Sequence, residues 1–194
     1  MTVGDALTRH YAAHGLPADG GESAPWFRVR IGPVGVRLPN PPARQRAVFF
    51  HDVNHVLTGY DTTFSRGEMV IAGFEVGNGC GAYWIAWYIN LGMFALGLIV
   101  CPREMFRAFV RGRRAASIYR RREDRTALAA MPVDRLREAL GLDAEPGAPT
   151  PGDRARFLAW SVAAVVVLLV PLLAVAAGIR ASAALFGGLS GSPS

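Results

Sequence analysis

The residues best suited to chemistry in this 194-residue chain stand close together: His51-Asp52-Val53-Asn54-His55, with Glu68 following. On a helix each residue turns by ~100°, so His51 and His55 lie roughly 40° apart, with Asp52 about 60° further round. Two imidazoles with one or two carboxylates on one face suit a divalent zinc, iron or manganese ion. These ions accept mixed nitrogen and oxygen ligands and leave a position open. The helix also has an apolar stripe, Phe49, Val53, Val56, Leu57 and Tyr60, on the side away from the histidines. Any surface helix shows a polar face opposite such a stripe, so the histidines form a site only if a second element covers them.

Glu68 is a candidate for that cover. On its own helix it shares a face with Ala72 and Glu75, which points two carboxylates the same way and makes Glu75 a possible supporting residue behind the ligands. Ser65-Arg66-Gly67-Glu68 also fits the Ser-x-x-Glu capping box, in which Glu68 bonds back to the Ser65 amide. Spacing alone leaves both roles open. The pattern departs from the His-Glu-x-x-His of zinc proteases, because the shorter aspartate reaches less far towards a metal-bound water.

The elements that must position these residues are mostly helical. Residues 1–16 read as a short amphipathic helix, and Trp26 to Leu38 alternates around Gly32-Pro33 as a small hairpin. Asn40-Pro41-Pro42 starts a helix that Gly59 can end, and a second runs from near Ser65 towards Glu75. Val76 to Pro102 carries no charge but is broken by five glycines; it reads as an apolar core helix that lines a lipid groove or touches a membrane, in preference to a span. Pro132 to Leu140 reads as another short helix, ended by Gly141.

The string His51-Asp52-x-x-His55-Val-Leu-Thr-Gly59, with Gly67-Glu68 downstream, resembles the coenzyme Q biosynthesis protein 4 family over about Pro39 to Tyr119. The resemblance implies a largely helical, membrane-associated fold and a metal held by His51, Asp52, His55 and Glu68, which would also be the catalytic residues. It further implies action on a prenylated quinone precursor, namely removal of the ring carboxyl group of a polyprenyl hydroxybenzoate and its replacement by hydroxyl. Other quinone-biosynthesis enzymes are implied as partners. A non-catalytic alternative is a protein that binds prenyl lipids and presents them to those enzymes.

Composition agrees with a membrane setting. Hydrophobic residues make up 51% and charged residues 19%, which argues against disorder, and two cysteines cannot build a disulfide framework. All 21 basic residues are arginine, as expected of a GC-rich genome, and the net charge is +6. Arg103, Arg107, Arg111 and Arg114 repeat at helical spacing and continue into Arg120-Arg121-Arg122. Beside an apolar segment, such a row suits lipid head groups or an anionic membrane surface, where each arginine contributes ~1 kcal/mol. No nucleic-acid reading motif accompanies it.

Phe157 to Ile179 is uncharged and long enough to cross a bilayer, which takes ~20 residues. The expected fold class is therefore mostly α: a helical membrane-associated domain (1–142), a Pro/Gly-rich linker (143–156), a single C-terminal transmembrane helix (157–179) and a short tail (180–194). The arginine excess would set the folded domain on the cytoplasmic side of a bacterial inner membrane. His10 and His14 form a second i, i+4 pair, but Asp5 is the only carboxylate near them in sequence, and Leu7 and Tyr11 give that helix an ordinary packing face. No metal site is expected there.

Overall fold

The computed structural model describes residues 1–31, 34–63, 66–121 and 123–189. Thr2 opens α1 (Val3–Ala13) with a reciprocal capping box, its hydroxyl accepting from the Asp5 amide and Asp5 accepting from the Thr2 amide. Strands β1 (Trp26–Ile31) and β2 (Val34–Pro39) pair antiparallel, Trp26 opposite Pro39 and Ile31 opposite Val34. Gly32-Pro33, the predicted turn, lies outside the described residues. The rest is helical: α2 (Pro42–Thr58), α3 (Gly67–Asn78), α4 (Trp84–Val100), α5 (Pro102–Arg114), α6 (Arg125–Ala130), α7 (Val133–Ala139) and α8 (Pro151–Leu189), with one 3₁₀ turn at Ile118–Arg120.

The starts and stops follow from local chemistry. Pro42 supplies the fixed φ of a first helical turn in α2, and Gly59 ends that helix at φ 71°, a left-handed value that a side chain disfavours. Val53 and Leu57 have no exposed surface and pack with Phe49 and Leu7 in the main core. Helices α3 and α5 form the tightest pair. A Cβ on Gly77 would come within 2.2 Å of the Phe109 carbonyl oxygen, and one on Gly112 within 2.1 Å of that of Phe74. Larger residues at either position would force the two backbones apart.

Three sequence expectations change. The uncharged stretch 76–102 is not one helix: α3 ends at Asn78, Gly79 and Gly81 turn the chain with positive φ, and α4 restarts at Trp84. That leaves α4 with 17 residues, fewer than the ~20 a span requires. The linker is also shorter than 143–156, because α8 begins at Pro151. Thr150 caps it, with the Thr150 amide donating to Asp153 at 2.8 Å and the Asp153 amide donating to the Thr150 hydroxyl at 3.2 Å. Third, the helix continues to Leu189, so most of the predicted tail is helical, and 190–194 lie outside the described residues.

The first turns of α8 dock on the domain. Phe157 packs among Phe94, Phe106 and Phe109, and Trp160 stacks on Trp87 with ring centroids 5.0 Å apart. Asp153 accepts from Arg113 and, at 2.7 Å, from Arg114. Beyond Leu168 the described side chains are exposed, and the stretch Pro151–Arg180 is long and apolar enough to cross a membrane. Replacing Asp153 with alanine removes a helix cap and two ion pairs at once. The expected cost is about 1–2 kcal/mol, read as faster limited proteolysis within residues 143–150 of the detergent-solubilised protein.

Candidate metal centre

α2 presents His51 and His55 one turn apart, and α3 covers them, which supplies the second element that the polar face requires. Their rings meet edge to face, centroids 4.8 Å apart. The Nδ1 atom of each is already engaged. His51 Nδ1 lies 3.2 Å from Glu75 Oε2, and His55 Nδ1 donates to the Tyr60 carbonyl at 2.9 Å. The Tyr60 carbonyl reaches His55 because Gly59 reverses the chain just after α2, so the glycine of the motif has a direct role. Arg111 holds the same turn, donating to the Thr58 carbonyl at 3.1 Å with its guanidinium over the Tyr60 ring.

With both Nδ1 atoms committed, both Nε2 atoms face inward, 3.2 Å apart. Glu68 closes the group: Oε2 is 3.3 Å from His51 Nε2 and Oε1 is 3.5 Å from His55 Nε2. Two ring lone pairs and a carboxylate directed at one point repel each other unless a cation or a proton sits between them. Histidine ligands whose outer nitrogen is held by a carboxylate or a backbone carbonyl are what a metal site requires. His51, His55 and Glu68 are the cluster that can hold a metal ion among the described residues.

Glu68 thus points both oxygens at the histidines. α3 starts at Gly67 with no side-chain cap, and the Gly67 amide donates to the Thr63 hydroxyl; Ser65, the partner in the capping-box reading, lies outside the described residues. Asp52 is placed differently from the other three. Its carboxylate is buried and accepts the Tyr11 hydroxyl at 3.0 Å, and burial pushes its pKa above the ordinary value. The expected supporting residue, Glu75, has no exposed surface. Besides His51 it accepts from Asn54 at 2.7 Å, Tyr119 at 3.1 Å and Asn90.

The electrostatics follow from this packing. Burial works against charge on His51, but Glu75 and Glu68 overcome it and hold the imidazole well above its usual range. Burial likewise works against charge on Glu68, and hydrogen bonds to His51 and His55 reverse that and hold it well below. Glu75 is lowered against its own burial by the His51 charge and by hydrogen bonds from His51, Asn54 and Asn90. Both carboxylates therefore favour the protonated form of His51.

Some participants were not singled out from sequence. Asn54 sat inside the motif as an unread position, and Asn90 was one of two amides, with Asn78, in the uncharged stretch 76–102, which is the signal that could have found it. Tyr11 and Tyr119 carried no signal. The arginines divide. Arg111 and Arg114 have internal partners, Thr58 and Tyr60 for the first and Asp153 for the second. Arg103 and Arg107 are exposed with no ion pair among the described residues. Arg121 pairs with Glu123, and Arg122 lies outside the described residues.

His10 stands against the outer side of the centre, its ring stacked on His55 at 5.8 Å. Burial and then His14 lower its pKa to about 4. The two rings open on a cleft of about 440 Å³, also lined by Arg9, His14, Tyr60 and Asp61.

Two outcomes are expected. Because the His51 pKa is raised, the proton's stabilising effect is complete below the unfolded value of 6.5 and is lost as pH rises through the raised one. A metal must displace that proton, so Zn2+ affinity should rise with pH, and calorimetry in buffers of different ionisation enthalpy should show proton release. Glu75→Gln should weaken Zn2+ binding by about 10–100-fold and reduce that release, because an amide cannot hold the His51 charge. Against known protein families, curated proteins and solved structures the chain shows no match, so the likeness to the coenzyme Q biosynthesis protein 4 family rests on the motif residues themselves.

Proposed function

We propose that this is a membrane-attached, metal-dependent protein of prenylated-quinone biosynthesis that removes the ring carboxyl group of a polyprenyl hydroxybenzoate. The observation that carries the reading is the pair of inward-facing Nε2 atoms 3.2 Å apart, closed by Glu68. The residue types fit a borderline divalent ion, zinc, iron or manganese, better than calcium or magnesium, which prefer all-oxygen shells. When bound, the ion would draw the ring carboxylate or an adjacent oxygen and stabilise the negative charge left as carbon dioxide departs.

The chain's own residues do the rest. His51, His55 and Glu68 offer three ligands, and the resemblance adds Asp52, which Tyr11 orients through its hydroxyl. Glu75 and the Tyr60 carbonyl fix the two imidazole rings in the orientation that presents Nε2. α8 supports membrane attachment by its length and apolar surface. Cytoplasmic placement of the folded domain follows from the arginine excess on that side of the anchor.

A second reading has its own observation. α4 exposes Trp84, Tyr88, Ile89, Ile99 and Val100 beside the docked part of α8. An apolar face of that kind suits a protein that binds prenyl lipid and presents it, with the metal structural. The two readings separate in one experiment. Elemental analysis of detergent-purified wild type and His55→Ala should show one transition metal per chain in the first and its loss in the second. Incubation with a prenylated hydroxybenzoate should then give carbon dioxide from wild type alone. Lipid co-purification without product would favour the presenting role, and an active, metal-free His55→Ala would sink the metal-dependent enzyme.

A further inference from the structure

The chain has four histidines, and the fold brings all of them into one row. From the cleft inward the ring centroids are 4.5 Å apart from His14 to His10, 5.8 Å from His10 to His55, and 4.8 Å from His55 to His51. His14 is exposed, His10 partly covered and His55 buried, while His51 at the far end is again partly exposed. Leu7 and Tyr11, not the histidines, form the packing face of α1. His14 caps the end of α1 through its Nδ1, and both imidazoles still open on the cleft.

We propose that His10 and His14 form an outer landing site for a divalent transition metal, which passes from there to the His51–His55–Glu68 centre. Spacing of i, i+4 at the end of α1 sets the two imidazoles one turn apart. His14 Nδ1 lies 2.8 Å from the His10 carbonyl oxygen, which leaves His14 Nε2 as the outward ligand atom. Asp61 lines the same cleft, its carboxylate held by the Thr63 amide and hydroxyl, and adds a negative charge there that sequence proximity did not reveal. Imidazole-rich sites select zinc, cobalt or nickel over magnesium and calcium. Arg9 shares the cleft, and its charge keeps cation binding there weaker than at the inner centre. A weak outer site beside a strong inner one is the arrangement that transfer requires. The inference rests on reading the inner cluster as a metal centre.

The test uses full-length protein in detergent and Co2+ as the probe, followed by calorimetry and by the visible absorbance of the bound ion. Wild type should bind one tight and one weak equivalent. His10→Ala/His14→Ala should keep the tight equivalent, lose the weak one and lose the fast phase of stopped-flow uptake. His10→Gln/His14→Gln, which keeps polarity and approximate size, should do the same. His51→Ala/His55→Ala should keep the weak equivalent alone. Unchanged stoichiometry and uptake in both His10/His14 variants would overturn the landing site. A weak equivalent in wild type with no tight one would instead overturn the inner centre, and transfer to it.

Discussion

A carboxylate with no exposed surface loses all of its hydration, so its surroundings must replace that hydration donor by donor. Glu75 is such a group, and it is met from several directions: His51 and Asn54 from α2, Asn90 from α4, and Tyr119 from the turn that follows α5. The layers that surround it are therefore tied to a single point. Asn54 and Tyr119 share Oε1 while His51 and Asn90 share Oε2, so moving any one element takes a donor from a buried charged oxygen, at a cost of about 1.5–3 kcal/mol for each lost contact. The orientation of His51 follows from that arrangement, as does the inward position of its Nε2.

Close packing carries the same constraint outward. Gly77 and Gly112 let α3 and α5 approach to backbone contact, so the helix bearing Glu68 and Glu75 cannot shift without its neighbour. α5 then reaches two further places. Arg111 holds the turn whose Tyr60 carbonyl fixes His55, while Arg113 and Arg114 hold Asp153 at the start of α8. One helix thus connects the orientation of His55 with the seat of the apolar helix α8. Two of the four arginines read from sequence as a surface for lipid, Arg111 and Arg114, also bond within the fold.

What the sequence disclosed and what it withheld divide along physical lines. Helix ends were legible because caps are local: Pro42, Gly59 and Gly141 act on the backbone within a few residues. His51, His55 and Glu68 were legible because a helix converts spacing into direction. The break at Gly79–Tyr83 was hidden, since an uncharged run looks alike whether it is one helix or two. The partners of Glu75 were hidden for a different reason. Asn54, Asn90 and Tyr119 are far apart in sequence, and a buried carboxylate announces its need for donors only once burial is known. His10 was dismissed on the ground that Asp5 was its nearest carboxylate in sequence, whereas folding places it against His55 and in a cleft with Asp61.

The same helix, α4, faces two environments. One side sends Asn90 to Glu75 behind the histidines; the other shows Trp84, Tyr88 and Ile89 to the exterior beside α8. A helix with its side chains is ~10 Å across, so the polar centre and the apolar surface are separated by about that thickness. Asn90 is the residue that makes such proximity tolerable. An amide satisfied by a buried carboxylate lets an otherwise apolar helix run beside a charged cluster, where a further leucine would leave Glu75 short of a donor. The polar centre and the apolar surface are in that sense two faces of one packing solution.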